Sequence, residues 1–272
     1  MIGPRHPSVQ RLRRLSRRRS ARSDENAFVI DGPTLLAEAL AAGVQLLEVV
    51  AEPGADEELL ARVDVTIHRA AEGTLAKAVD PVTPQGIAAI AAIPPSTISA
   101  NRRDRLVVVA VGVNDPGNAG TLLRSADAAG VDLVAFCDDS VDPYNPKCVR
   151  AAAGSLFRLP VIRSAGSLET LKDLKAAGIR SLGTVARGGS VYDTVDYAVP
   201  SAVVLGSEAH GLAPEVISAV DELVTIPMSG PTESLNVGMA GTIVVFEALR
   251  QRRARRNEVD GTPSPGAGFS GS

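Results

Sequence analysis

Residues 106–113 read LVVVAVGV, an apolar run that contains no charged residue. Runs of this kind are typical of strands that are buried on both faces, as in a parallel sheet. Helical and strand patterns alternate after the run, which indicates a parallel sheet covered by helices on both faces. We therefore predict one α/β domain over residues 105–256. Further strands are expected near residues 131–137, 159–162, 179–185, 202–205 and 223–226, and helices near 118–129, 147–153, 168–177 and 235–253.

A second, smaller α/β series precedes this domain. Its strands are expected near residues 27–30, 46–51, 65–68 and 86–93, its helices near 32–42, 57–63 and 70–78, and a basic helix or arm at 7–22. Paired prolines at 94–95 and the polar residues up to Arg105 break regular structure and predict a linker. We assign residues 1–95 to a separate small domain, and we expect the Gly-, Ser- and Pro-rich residues 257–272 to be a disordered tail.

The composition excludes several classes of protein. The chain is 45% hydrophobic, which is enough for a sizeable core. Because it has no long uncharged apolar run and no apolar stretch after its basic start, we expect neither a membrane span nor a signal peptide, and a cytoplasmic location. Cys137 and Cys148 are the only cysteines, too few for a zinc site or a disulfide framework. We expect free thiols and no metal.

The net charge of −3 hides a strong asymmetry. Residues 1–22 carry eight arginines and residues 250–256 carry five, with no acid in either segment, whereas residues 23–249 hold 29 acidic and only 15 basic residues. Such segregation favours a polyanionic partner, and arginine favours forked contacts with phosphate. A solvated arm without a specific partner is the alternative. We predict RNA contacts by Arg11, Arg13, Arg14, Arg17, Arg18, Arg19 and Arg22.

The first of three unusual segments follows the apolar run itself. In open parallel sheets, ligands bind beyond the carboxyl ends of the strands. Asp115-Pro116-Gly117 is a turn, and Asn118 suits the N-cap of the next helix. Arg124 lies two turns into that helix, where it can meet a phosphate near the positive helix end. Alternatively, Arg124 has a purely structural role, as the partner in a salt bridge to Asp127 or to another helix.

The second segment is LGSEAHGL at residues 205–212, where two glycines flank Glu208 directly after a strand. A phosphate loop would need a lysine and no carboxylate, so a cationic or hydroxyl-rich ligand fits better. A solvated loop acid is the alternative for Glu208, and His210 is expected at the surface. The third segment is IPMSGPTESLNVG at residues 226–238, in which Ser234 or Asn236 opens the last helix.

Taken together and in this order, the three segments resemble the motifs of the SpoU (TrmH-like) branch of the SPOUT RNA methyltransferases, over about residues 105–250. Residues 6–93 are similar to the substrate-binding domain that precedes the catalytic domain in many members. The basic start and residues 28–32 and 85–88 carry that similarity. Asp31 is a mild departure, because relatives often have glutamate there.

The resemblance implies a parallel-sheet SPOUT domain with a C-terminal trefoil knot, preceded by a small L30e-like α/β domain that grips RNA. It implies a homodimer, with the last helix near the interface. It also implies S-adenosylmethionine as the methyl donor, bound by the loops at 184–189, 205–211 and 226–235. The expected donor-binding residues are Thr184, Leu205, Gly206, Gly211, Ile226, Met228, Ser234 and Leu235.

The implied reaction is methylation of a ribose 2′-hydroxyl. Arg124 is the leading catalytic residue by this resemblance, with Asn118, Glu208, Ser234 and Asn236 around it. We expect 23S ribosomal RNA as the substrate, with transfer RNA as the alternative. Three other functions remain to be compared: an RNA-binding module without activity, a base methyltransferase, and a nucleotide-dependent enzyme of small molecules. The last would want a Gly-x-Gly-x-x-Gly turn after its first strand, and the sequence has none there.

Overall fold

The computed structural model describes residues 1–79, 85–96, 98, 105–164 and 166–260. It divides into two compact units. The first comprises Met1–Thr97, Asn114–Arg124 and Ser140–Arg163, and the second comprises the described residues within Ile98–Val113, Ser125–Asp139 and Ser164–Ser272. The first unit thus contains two segments from the predicted domain at 105–256. Parts of the predicted linker, residues 97 and 99–104, lie outside the described residues.

The upstream part of the first unit is a four-stranded sheet with short helices. In chain order its elements are α1 (Pro7–Arg17), α2 (Arg19–Glu25), β1 (Ala27–Asp31), α3 (Pro33–Ala41), β2 (Leu46–Ala51), α4 (Glu57–Leu60), β3 (Ile67–Arg69) and β4 (Ile87–Ala92). The strand order is β1-β4-β2-β3, with β4 antiparallel to both of its neighbours and β2 parallel to β3. All four predicted strands are confirmed. The predicted helix at 70–78 is wrong, since only a 3-10 turn forms there, at Leu75–Lys77.

Helix α1 forms because its apolar residues recur on one face. Val9, Leu12 and Leu15 are buried in the core of the first unit, and the arginines between them stay outside it. The ring nitrogen Nδ1 of His6 accepts a hydrogen bond from the Ser8 amide at 3.3 Å and so caps the helix. The predicted basic helix at 7–22 is therefore two helices, α1 and α2, which meet at the extended residue Arg18.

The downstream half of the chain adds the remaining elements. They are β5 (Leu106–Val111), α5 (Pro116–Ala129), β6 (Leu133–Cys137), α6 (Pro146–Ala151), β7 (Val161–Arg163), α7 (Ser167–Ala176), β8 (Arg180–Thr184), β9 (Ser190–Val191), β10 (Ser201–Leu205), α8 (Pro214–Ala219), β11 (Glu222–Thr225) and α9 (Val237–Asp260). Helix α9 includes residues 257–260, so the predicted tail is helical at its start, and residues 261–272 lie outside the described residues. The sequence patterns did not predict β9 and α8, which are only two and six residues long.

Six of these strands belong to the second unit and lie in the order β6-β5-β10-β8-β11-β9. Every pairing between these neighbours is parallel. All six residues of β5 are buried, which confirms the parallel strand predicted from the apolar run. The carboxyl ends of β8, β10 and β11 consequently meet at one edge of this sheet.

The predicted N-cap residue is wrong for helix α5 and confirmed for helix α9. Helix α5 begins at Pro116, two residues earlier than predicted, because proline suits the first helical position. The amide of Asn118 donates to Oδ1 of Asp115 at 2.8 Å, so the predicted N-cap role of Asn118 is wrong and Asp115 takes it. Asn236 does cap α9, since its Oδ1 accepts from the Gly238 amide at 2.9 Å.

Both cysteines are buried free thiols. Burial raises the pKa of the Cys148 thiol to about 12, so it is inert at neutral pH. Among the described residues, no group of three or more His, Cys, Asp or Glu side chains is arranged to hold a metal ion. In the same part of the chain, no helix has the length and apolar character that crossing a membrane requires.

A buried ion pair joins α2 to the downstream segment of the first unit. Arg22 is 2% exposed, and its Nε lies 2.6 Å from Oδ2 of Asp142. Its Nη1 donates to the Leu15 carbonyl at 2.7 Å. This geometry corrects the expectation that Arg22 contacts RNA, because its guanidinium is bound inside the protein.

We expect the change Arg22→Ala to lower the free energy of unfolding by about 3–5 kcal/mol, because it leaves the Asp142 carboxylate buried without its partner. Urea unfolding followed by circular dichroism measures the loss. The control is Arg69→Ala, which breaks an exposed pair with Glu57 and should change stability little. An equal loss in both variants would contradict a special role for the buried pair.

Candidate active site

A cleft of about 380 Å³ lies in the second unit, beyond the carboxyl ends of β8, β10 and β11. Three chain segments that are distant in sequence form its walls, at residues 184–186, 205–212 and 226–235. The start of α9 closes the remaining side through Val237, Ala240 and Val244. The cleft therefore lies where parallel sheets ordinarily bind ligands.

The loop after β10 is held tightly by its own backbone. The Ser207 amide donates to the Gly211 carbonyl at 3.0 Å, and the Gly211 amide donates back to the Ser207 carbonyl at 2.9 Å. A Cβ atom at Gly206 would overlap the backbone of Gly211 and Leu212, so only glycine fits there. Gly211 has a φ of +66°, which also favours glycine. The loop exposes Glu208 and His210 beside the cleft.

Two hydrogen bonds fix the cleft segment at residues 184–186 to the sheet. The hydroxyl of Thr184 donates to the Val204 carbonyl at 3.0 Å. The Val185 amide donates to the Val224 carbonyl at 2.9 Å. The chain after β8 is thus tied to β10 and to β11 where the cleft opens.

The third segment supplies part of the apolar wall. Ile226, Met228 and Leu235 are half-buried and line the cleft. Glu233 pairs with Arg187 at 3.3 Å, but both side chains are exposed, so this pair contributes little to stability. The result is a cleft with apolar walls, a glycine-rich edge and two exposed carboxylates, Glu208 and Glu233, at its rim.

The structure brings nine of the predicted site residues together around this cleft. They are Thr184, Leu205, Gly206, Glu208, Gly211, Ile226, Met228, Ser234 and Leu235. Asn236 follows directly and caps α9. Sequence reasoning missed the α9 residues Val237, Ala240 and Val244, although their spacing of three and four residues is that of one helix face.

Comparison with known proteins connects this cleft to a family. The sequence model described as "SpoU rRNA Methylase family" matches residues 105–246, which contain all three cleft segments. The chain belongs to this family. A second model, described as "MRM3-like substrate binding domain", matches residues 6–89.

Relatives of the SpoU chain cover nearly all of it. The 23S rRNA (guanosine(2553)-2′-O)-methyltransferase RlmP of Bacillus subtilis is 32% identical, over 83% of this chain and 89% of its own. The SpoU methyltransferase AviRb of Streptomyces viridochromogenes, solved in complex with AdoMet, has a TM-score of 0.83 and 28% identity, over 92% of this chain and 99% of its own. An AdoMet-bound rRNA methyltransferase of Sinorhizobium meliloti has a TM-score of 0.80 and 29% identity, over 90% and 95%. The parallel-sheet α/β fold is therefore that of the SPOUT methyltransferases.

Three of the predicted catalytic residues of the SpoU chain, Asn118, Arg124 and Asn236, are not among the residues that line the cleft. Asn118 and Arg124 lie on α5, in the part of this helix that belongs to the first unit. Arg124 is exposed, and no carboxylate among the described residues pairs with it. The salt bridge to Asp127, which would have explained Arg124 without function, is therefore not formed.

The arginines at the start of the SpoU chain divide into two groups. Arg11 and Arg14 both pair with Glu25, at 2.7 Å and 2.6 Å. Burial opposes ionisation of Glu25, but the hydrogen bonds from these two arginines outweigh it and lower its pKa. Arg19 donates to the Ser140 carbonyl at 3.1 Å. Among the predicted RNA contacts, Arg13, Arg17 and Arg18 are exposed and make neither an ion pair nor a side-chain hydrogen bond with the described residues.

We expect the change Gly206→Ala to lower the free energy of unfolding by about 1–3 kcal/mol, because the added methyl group overlaps backbone atoms that cannot move aside. Thermal unfolding measures this loss. Gly230→Ala is the matched control, since a Cβ atom at Gly230 meets no heavy atom within 4 Å. Equal stability of the two variants would show that the loop after β10 is not as tightly closed as described.

Proposed function

We propose that this chain is a methyltransferase that moves a methyl group from S-adenosylmethionine to a ribose 2′-hydroxyl of ribosomal RNA, with 23S rRNA as the expected target. The observation that carries the proposal is the convergence of residues 184–186, 205–212 and 226–235, all within the family match, on one cleft in the second unit. RlmP, a relative over most of the chain, is named for this reaction on 23S rRNA. The solved relative AviRb was crystallised with AdoMet.

The residues of the cleft suit this donor. A volume of about 380 Å³ is within the usual range of about 300–1,000 Å³ for small-molecule sites. Gly206 lets a ligand approach the backbone closely, and Leu205, Ile226, Met228 and Leu235 would enclose its apolar parts. The Glu208 carboxylate suits a cationic ligand. Thr184, Gly211 and Ser234 complete the proposed donor-binding set. When bound, the donor supplies a methyl group on a positively charged sulfur.

The protein must mainly orient and stabilise the attacking hydroxyl. A ribose hydroxyl is a poor acid, so negative charge that develops on its oxygen needs a stabilising group. An arginine guanidinium carries a permanent positive charge, so Arg124 is unsuited to act as a base. We assign to Arg124 the binding of the adjacent phosphate and the stabilisation of that charge. Asn118, Glu208 and Ser234 are proposed to support the bound nucleotide, and Asn236 to position the end of the 226–235 segment.

We expect the change Arg124→Ala to reduce methylation at least about 100-fold, because a positioned charge is lost from the transition state. Donor binding should be nearly unchanged. Transfer of radiolabelled methyl groups to 23S rRNA measures the first, and calorimetric titration with S-adenosylmethionine the second. Arg69→Ala, which removes one exposed arginine elsewhere, is the control. Near-normal turnover of Arg124→Ala would reject the role.

The domain arrangement belongs to the same proposal. We assign residues 1–95 to an L30e-like domain that binds RNA and residues 105–256 to the SPOUT catalytic domain, with the C-terminal segments forming a trefoil knot. Arg13, Arg17 and Arg18 are the favoured RNA contacts of the first domain, since they are exposed and carry no ion pair among the described residues. The relation to rRNA enzymes also supports a cytoplasmic location.

Transfer RNA and a role without catalysis are less well supported. A solved structure concerned with 2′-OH methylation of C/U34 on tRNA has 27% identity but covers only 56% of this chain, whereas the rRNA methyltransferase of Sinorhizobium meliloti covers 90%. A binding module without activity is less favoured, because RlmP, which is similar over most of the chain, is named as a methyltransferase.

A homodimer is part of the proposal because α9 exposes large apolar side chains. Met239 is 59% and Phe246 43% exposed, and the half-buried Ile243 lies between them. The spacings of four and three residues place all three on one helix face. Exposed apolar faces of this kind are typical of protein interfaces. A second copy of the chain is the partner expected from the family.

We expect the change Phe246→Asp to convert the dimer to a monomer, because it places a charge in the apolar interface. Sedimentation velocity measures the mass in solution. Leu168→Asp is the control, since Leu168 is 48% exposed on α7 rather than α9. A dimer that persists in Phe246→Asp would exclude this face of α9 as the interface.

A further inference from the structure

The first unit contains a second cavity, of about 370 Å³, that the proposed reaction does not use. Residues 93–96 and 161–163 form its walls, together with Asn26 and Tyr144. None of these residues lines the cleft in the second unit. The cavity therefore needs an explanation of its own.

Arg163 is held in place at this cavity and remains accessible. Its Nη1 donates to the Ser23 hydroxyl at 3.1 Å, and its Cζ lies 5.6 Å from the ring centroid of Tyr144. The side chain is 22% exposed. A guanidinium that is oriented in advance loses less conformational entropy when it binds a ligand.

The charge around Arg163 is not balanced. Among the described residues, the carboxylate that pairs with Arg163 is Asp142, which lies 3.9 Å from Nη1 of Arg163 but 2.6 Å from Nε of Arg22. The single negative charge of Asp142 thus faces the two positive charges of Arg22 and Arg163. The net charge of these three side chains is +1. Burial raises the pKa of Tyr144 to about 12, so its hydroxyl stays neutral at working pH. The site favours an anionic group.

The rest of the cavity combines flat apolar walls with a few polar groups. Residues 93–95 and 161–162 supply aliphatic and proline surfaces, and Asn26 and Ser96 supply hydrogen-bonding side chains. A ligand with an anionic group and a planar ring with a polar edge matches both features. That combination is the chemistry of a nucleotide.

We propose that this cavity binds one unpaired nucleotide of the RNA substrate, with its phosphate on Arg163 and its base against the walls at 93–95 and 161–162. The proposal rests on RNA being the substrate. A paired nucleotide is excluded because its base faces are stacked and its edge is occupied, whereas unpaired bases can enter protein pockets. The cavity would select RNA with a loop or bulge beside the methylated position.

The test compares Arg163→Gln with the control Arg69→Gln, each in the full-length chain. The probe is a fluorescein-labelled single-stranded RNA of mixed sequence, and binding is followed by anisotropy. We expect Arg163→Gln to weaken binding about tenfold, the equivalent of one charge-assisted hydrogen bond. The slope of log K against log salt should become smaller by about 0.7, as for the loss of one phosphate contact on a single strand. Arg69→Gln should change neither quantity.

A second variant tests the same cavity in case Arg163→Gln does not fold correctly. Asn26→Asp places a negative charge at the cavity, and both residues tolerate the φ of 45° found there. It should also weaken binding of the single strand. The affinity for S-adenosylmethionine, measured by calorimetric titration, should be unchanged in both variants. If the wild-type chain does not bind S-adenosylmethionine, the proposed function is rejected. If both variants bind the donor normally and also bind the single-stranded RNA as tightly as the wild type, only the nucleotide site is rejected.

Other probes separate the remaining occupants. Duplex RNA of equal length should bind with an affinity that does not depend on Arg163, and an equal loss on duplex and single strand would overturn the proposal. Dependence on Arg163 for uridine 5′-monophosphate but not for the RNA strand would assign the cavity to a free nucleotide and overturn it. If only the affinity for a polyglutamate peptide depends on Arg163, the cavity binds a protein partner and the nucleotide proposal is overturned.

Discussion

The parallel pairing of β10 with β5 on one side and β8 on the other is the constraint on which the cleft depends. Val203 pairs with Val108 in β5 and with Leu182 in β8, so the three strands run in register and end together. Because β11 pairs with β8 in the same direction, its end joins them. The segments at 184–186, 205–212 and 226–235 are thus brought to one edge of the sheet.

Two kinds of interaction serve the two proposed ligands. The cleft for the donor is built from backbone turns and aliphatic side chains, with the carboxylates of Glu208 and Glu233 beside it. The proposed RNA contacts are arginines, whose attraction to phosphate weakens as salt concentration rises. Donor binding and RNA binding should therefore respond differently to ionic strength, and this difference follows from the composition of the two surfaces.

Arginine has two separate roles in the first unit. Arg22 is buried against Asp142 and joins α2 to residues 140–163, whereas Arg13 and Arg17 remain on the surface. Arg163 is intermediate, since it is fixed by neighbours but still reaches the second cavity. The sequence assigns the same charge to each of these arginines, although only the exposed ones can bind a polyanion.

Local sequence determined most of the secondary structure and the composition of the cleft loops. Apolar runs such as 106–113 have to be buried, and the glycines at 206 and 211 favour a tight turn whatever surrounds them. Local sequence failed where a cap or a short element depends on neighbours: Asp115, not Asn118, caps α5, and residues 70–78 form only a 3-10 turn.

Only the tertiary structure decided which side chains are available. Arg22 and Arg13 belong to the same basic segment, but the first is neutralised by Asp142, 120 positions away in the chain. The cavity beside Arg163 likewise depends on residues from both halves of the sequence. Periodicity and charge describe neighbours along the chain, whereas burial and ion pairing depend on residues that folding alone brings together.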